Sequence, residues 1–166
     1  MGTGEPGGKE FSQKVEALYP VAYGVKKICK AGNNDFAVPK LEGLWWVDGN
    51  RDARDISRNE WQWKLLIRVP EFVTQGDVTA AKKEVIKKKK LALAQEIHFE
   101  RLENGRCVHL LHVGPYSDEP RSIDLMREFL KTNGLKASGL HHEIYLSDPR
   151  KTAPQKMKTV LRQPVQ

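Results

Sequence analysis

Between Trp61 and Val69 the chain reads WQWKLLIRV, in which Trp61, Trp63, Leu65, Ile67 and Val69 alternate with Gln62, Lys64, Leu66 and Arg68. A period of two sends successive side chains to opposite faces of a strand, so this is the clearest strand the sequence predicts. VAYGVKKIC, from Val21 to Cys29, reads as an earlier strand, and VPKLEGLWWVDG as a second extended piece closed by the turn-forming Asp48-Gly49. The polar segment NRDARDISRNE joins it to the tryptophan-rich strand. Asp77 can cap a helix from Val78 to about Ala94, with Val78, Ala81 and Val85 facing inward. EIHFERL and RCVHLLHV flank Asn104-Gly105, which predicts an antiparallel hairpin. Ser117, Glu119 and Pro120 open another helix carrying Ile123, Met126 and Leu130 on one face, with Gly134 as its stop. HHEIYLSDP, from His141 to Pro149, is a further strand, and KMKTVLRQPV can add a last short one.

The middle and end therefore read strand-helix-strand twice, with corresponding points about forty-five residues apart. Two helices cannot cover both faces of a sheet this wide, so they should lie on one side and leave the other free to form a groove. The predicted class is α+β: a duplicated strand-helix-strand module with a curved antiparallel sheet.

Composition narrows this picture. With 166 residues, 39% hydrophobic and 30% charged, the chain can bury one sizeable core but hardly two. The glycine-rich start marks residues 1–17 as a flexible leader before a single domain over 18–166. It has no apolar signal region, and no segment has the long apolar run of a membrane helix, which suggests a cytoplasmic protein. The net charge of +7 favours anionic partners, yet much of it sits in KKEVIKKKK, from Lys82 to Lys90, which reads as one solvated helix face. A nucleic-acid surface would need a wider basic patch. Cys29 and Cys107 lack metal-ligand spacing, and the five histidines form no HxxxH or HExxH, so neither a metal nor a cofactor is expected.

Three features carry candidate chemistry. Trp45, Trp46, Trp61 and Trp63 crowd two neighbouring strands, and adjacent Trp45 and Trp46 must face opposite sides, so at least one ring lines a groove or an interface. Tyr116, in HVGPYS, stands between a strand end and a helix start, where its phenol either donates into a cleft or ties the loop down. Glu143 shares a strand face with His141 and Tyr145, while Leu140, His142, Ile144 and Leu146 form the other, mainly apolar face, expected under the helices. That acid stands either on an edge strand facing water or at the base of a pocket.

LEGLWW, NEWQWKLLIRVPEFV, HVGPYSDEP and HHEIYLSDPRK together resemble the GyrI-like small-molecule-binding family over roughly Leu18 to Val165. The resemblance implies a duplicated α+β module with two helices on one face of the sheet and a ligand groove on the other. In related multidrug regulators a buried glutamate at the position of Glu143 meets cationic aromatic ligands. The tryptophan-rich strands are similar to a stand-alone branch, some members of which hydrolyse cyclopropane-bearing, DNA-alkylating natural products. By that resemblance Glu143 and Tyr116 are the catalytic candidates, and Trp46, Trp61, Trp63, Tyr145 and His141 the ligand contacts. The partner implied is a planar aromatic or cationic small molecule. Alternatives are a drug-sequestering module without turnover and a gyrase-interacting protein.

Overall fold

Val21, Val25 and Cys29 recur every four residues, and the computed structural model, which describes residues 1–49 and 53–166, places them on one buried stripe of a long helix, α1 (Lys9–Ala31). The strand expected at Val21–Cys29 is therefore helical. Pro20 and Gly24 argue locally against a helix, but burial against a second helix, α2 (Gln75–Lys89), overrides them. Val78, Ala81 and Val85 of α2 meet the α1 stripe. A Cβ on Gly24 would stand 3.0 Å from that of Ala81, so the glycine permits this close approach.

The start of α2 is fixed by a capping box, in which Thr74 Oγ1 accepts from the Asp77 amide and Asp77 Oδ2 accepts from the Thr74 amide. The helix ends at Lys89, before the expected Ala94, because Lys90 adopts a left-handed conformation. Residues 1–17, read from composition as a leader, contain a two-residue strand, β1 (Gly2–Thr3), and the first turns of α1. Asn50, Arg51 and Asp52, which begin the polar connection, lie outside the described residues.

The remaining elements are β2 (Leu41–Trp46), β3 (Gln62–Ile67), β4 (Cys107–Val113), a third helix, α3 (Glu119–Thr132), β5 (His141–Tyr145) and β6 (Lys158–Pro164). All strands pair antiparallel in one sheet of order β1-β3-β2-β5-β6-β4. β1-α1-β2-β3 and β4-α3-β5-β6 repeat one another, and the two halves meet where β2 pairs with β5. The duplication thus has a longer period than the forty-five residues expected, since α2 and the chain after it are inserted between the halves.

No hairpin forms at Asn104-Gly105. β4 pairs with β6, and residues 97–106 are irregular. Gly105 has the positive φ that an Asn-Gly turn needs. The preceding segment finds other partners: Ile97 and Phe99 pack on the α1–α2 core, Lys82 Nζ donates to the carbonyl oxygens of Gln95 and Ile97, and Lys64 pairs with Glu100.

Register fixes the faces of the sheet. Trp45 lies opposite Trp63 and His141, Gly43 opposite Leu65 and Glu143, and Glu143 opposite Leu161. Phe11 of α1 packs on Trp45 and Trp63, and Ser122 of α3 bonds His112 Nδ1 at 2.9 Å, which places both helices on this same face. Glu143 therefore lies under the helix layer rather than on a free face. The opposite face carries His142, buried and bonded to Glu42 Oε2 at 2.7 Å, while Leu140 and Leu146 are exposed instead of covered. No helix among the described residues is long and apolar enough to cross a membrane.

Trp63 is almost fully buried between β1 and Phe11, so Trp63→Ala should lower unfolding free energy in urea by about 3–5 kcal/mol. Lys87, Lys88 and Lys90 are exposed, and changing all three to glutamine should leave the melting temperature nearly unaltered.

Candidate functional site

The absence of a side chain at Gly43 shapes the centre of the helix-covered face. A Cβ there would stand 2.8 Å from both Trp45 Nε1 and Tyr145 Oη, the two atoms that form a 2.9 Å hydrogen bond across the β2–β5 seam. Trp45 Nε1 donates to the Tyr145 hydroxyl, and that hydroxyl is bonded in turn to the Glu143 carboxylate. Burial, together with the Glu143 charge, pushes the Tyr145 phenol well above its ordinary range. Tyr145 thus stays protonated and holds Glu143 in one orientation.

A second acid completes the centre. Glu119 opens α3, where a carboxylate in the first turn is favoured by the helix dipole. Burial and then the charge of Glu143 outweigh that preference and drive its carboxyl to about 9, against the opposing pull of Arg58 and a hydrogen bond with Thr159. Beside Glu143, Glu119 is therefore the carboxyl whose protonated form is favoured. Its Oε1 is buried without a hydrogen-bond partner among the described residues, as are Trp61 Nε1 and His141 Nε2. Unsatisfied buried polar atoms are rare in folded proteins, and these three lie on one face.

Aromatic rings enclose the acids. Phe11 stacks on Trp45 with centroids 6.1 Å apart, Trp61 meets Trp45 edge-on at 6.0 Å, and Tyr116 meets Tyr145 edge-on at 6.1 Å. The Arg58 guanidinium lies 5.6 Å over the Trp61 ring. Arg58 and Trp61 belong to the connection between β2 and β3, which is tied to α3 by Arg54 and Asp124 at 3.2 Å. Burial, with the charges of Glu119 and Glu143, raises the Tyr116 phenol to about 12, so it acts as a hydrogen-bond donor.

Of the residues singled out from sequence, Glu143, Tyr116, Tyr145, His141 and Trp61 share this face. His141 Nε2 lies 3.5 Å from Glu143 Oε1. Trp63 is on the face too, but as core beneath Phe11. Trp46 points to the opposite face, and its neighbour Trp45 takes the place at the site. Glu119, Arg58 and Gly43 carried no sequence signal of their own. Glu119 read as an ordinary helix-opening acid, and only the separation of the carboxylates along the chain and their meeting in space give it a role. Two surface clefts, about 370 Å³ between α1 and α2 and about 400 Å³ beside β4 and α3, contain neither acid. No cluster of metal-ligating residues occurs among the described residues.

The profile of the GyrI-like small molecule binding domain matches residues 12–166. An uncharacterized conserved protein from Listeria innocua is 41% identical, with a TM-score of 0.91, over 99% of this chain and 84% of that one. A crystal structure described as a hydrolase from Listeria innocua is 40% identical, with a TM-score of 0.86 and the same coverage. At 14% identity and a TM-score of 0.52, a chain of an EcmrR–DNA complex shares the fold over 50% of its length. No curated protein matches the chain.

Two outcomes follow from this geometry. Gly43→Ala should fold but break the Trp45–Tyr145 bond, changing tryptophan emission and weakening any ligand held through Glu143. Because the folded Glu119 carboxyl titrates above its unfolded value, the folded state binds the extra proton. Wild-type stability should fall as pH rises from about 4.5 towards about 9, relative to Glu119→Gln, in melts recorded across that range.

Proposed function

Since the chain belongs to the GyrI-like small-molecule binding domain family, we propose that it binds planar aromatic molecules between the Trp45–Trp61 wall and the Tyr116–Tyr145 pair, and hydrolyses strained cyclopropanoid alkylating compounds there. The observation that carries this reading is the pair of buried carboxyls, Glu119 and Glu143, inside an aromatic enclosure, with burial pushing the Glu119 carboxyl up. An acid and a base side by side are what addition of water across a strained ring requires. The description of a 40% identical relative as a hydrolase supports turnover.

In a spirocyclopropane fused to a dienone, Glu143 takes a proton from water as the water oxygen bonds to the methylene carbon. The ring carbon–methylene bond breaks, and its electron pair moves through the dienone, which becomes a phenol. The carbonyl oxygen receives its proton from Glu119, with Tyr116 donating a hydrogen bond to the developing charge. Proton return from Glu143 to Glu119 closes the cycle. The product has lost the electrophilic cyclopropane, so the role proposed is detoxification.

The Arg58 guanidinium over Trp61 supports a second reading, since the face of that ring attracts positive charge. In that case the acid pair acts as counter-charge for planar cations, which are sequestered without turnover.

The test is incubation with a cyclopropanoid, followed by mass and absorbance. Wild type should yield the ring-opened water adduct, with a rate that declines as alkaline pH removes the Glu119 proton. Glu143→Gln should bind the compound but lose roughly 10²–10⁴-fold in rate. An unchanged compound recovered from a saturated wild-type complex would reject hydrolysis and leave sequestration. Sequestration in turn requires that Glu143→Gln lose affinity for cations and keep it for neutral isosteres.

A further inference from the structure

The two open edges of the sheet differ. At one end β1 is two residues long, a common way of blunting an edge. At the other end β4 runs for seven residues, CVHLLHV, without a lysine, arginine, acid or proline, and so without the usual protection against pairing. Its even-numbered neighbours turn inward: the Gly114 amide bonds the Met157 carbonyl, and the Arg106 carbonyl accepts from Val165. The alternation of an antiparallel ladder then turns the backbone groups of Cys107, His109, Leu111 and Val113 outward. Among the described residues these groups have no backbone partner on another element. Beside them Leu111 and Val113 are 53% and 54% exposed. On α3, which packs against β4, Leu125 and Phe129 are 59% and 50% exposed, one helical turn apart.

We propose that this edge pairs with a second copy of the chain, β4 against β4, in antiparallel fashion about a twofold axis at Leu110. That register sets Cys107 against Val113 and His109 against Leu111 of the second copy, so all the outward groups of these four residues find partners. It brings no like charges together within the strand. It also places Arg106 opposite Gly114 of the second copy. The Asp118 carboxylate lies 4.0 Å from where a Gly114 Cβ would stand, so each Arg106 meets the Asp118 of the other chain in two symmetric ion pairs. Other registers lose these pairs. The partner is thus a second copy rather than a foreign strand, because strand and flanking charges are self-complementary.

Sedimentation velocity from low to high micromolar concentration tests the assembly. Wild type should pass from monomer to dimer, and a monomer at every concentration would overturn the proposal. Leu111→Pro removes an outward amide and no bond to β6, a position where an edge strand tolerates proline, so the variant should stay folded by circular dichroism and become monomeric. A folded Leu111→Pro variant that dimerises like wild type would also overturn it. If that variant unfolds, charge reversal decides. Arg106→Glu and Asp118→Arg should each weaken dimerisation about tenfold, and the double variant should restore it. Equal dimerisation in all three would reject the register and with it the proposal.

Discussion

Everything at the centre of this molecule depends on the pairing of β2 with β5. That seam joins two halves that resemble each other in topology, and the Trp45–Tyr145 hydrogen bond crosses it between residues 100 positions apart. The contact exists only because Gly43 leaves room for an indole and a phenol to meet above the strand. The second half carries both acids, Glu119 and Glu143, and the first carries the indoles of Trp45 and Trp61. Joined, they bring Phe11 of α1, Trp45 of β2 and Trp61 of the β2–β3 connection to the face of the second half that holds Glu119 and Glu143.

β5 bears an unusual load for an inner strand. One face holds Glu143, and the other holds His142, which donates to Glu42, also buried. Buried polar groups are tolerated when they are bonded, and His142 and Glu42 satisfy one another at 2.7 Å. The acid pair in front is held differently: Tyr145 serves Glu143 and Thr159 serves Glu119, yet one Glu119 oxygen is left without a partner. The back of the strand is a closed polar contact, whereas the front keeps bonding capacity unused.

Local periodicity made the strands legible. WQWKLLIRV and HHEIYLSDP alternate strongly enough to fix which side chains share a face, and so Glu143, Tyr145 and His141 were grouped correctly. What local pattern could not supply was the choice made by distant partners. VAYGVKKIC reads as a strand by itself, and only the stripe of Val78, Ala81 and Val85 on α2 reveals why Val21, Val25 and Cys29 are spaced by four. Asn104-Gly105 looked like a hairpin because the bonds that draw Gln95 to Glu100 elsewhere are made by lysines far along the chain. Which face of the sheet the helices cover depends on Phe11 and Ser122, and with it the choice between Trp45 and Trp46. Glu119 stayed hidden because its role is created by the company it keeps.

An apolar core cluster is formed by α1, α2 and the chain that follows α2, with Val73, Val78, Ala81, Val85 and Ala94 meeting the α1 stripe and no residue drawn from β2 or β5. Cohesion is thereby generated where the chain inserted between the two repeats packs on α1. Such a division of labour loosens the usual conflict between staying folded and keeping costly groups buried. Descendants of this scaffold could exchange the residues around Glu119 and Glu143 and drift towards new ligands, while the inserted helix continues to hold the domain together.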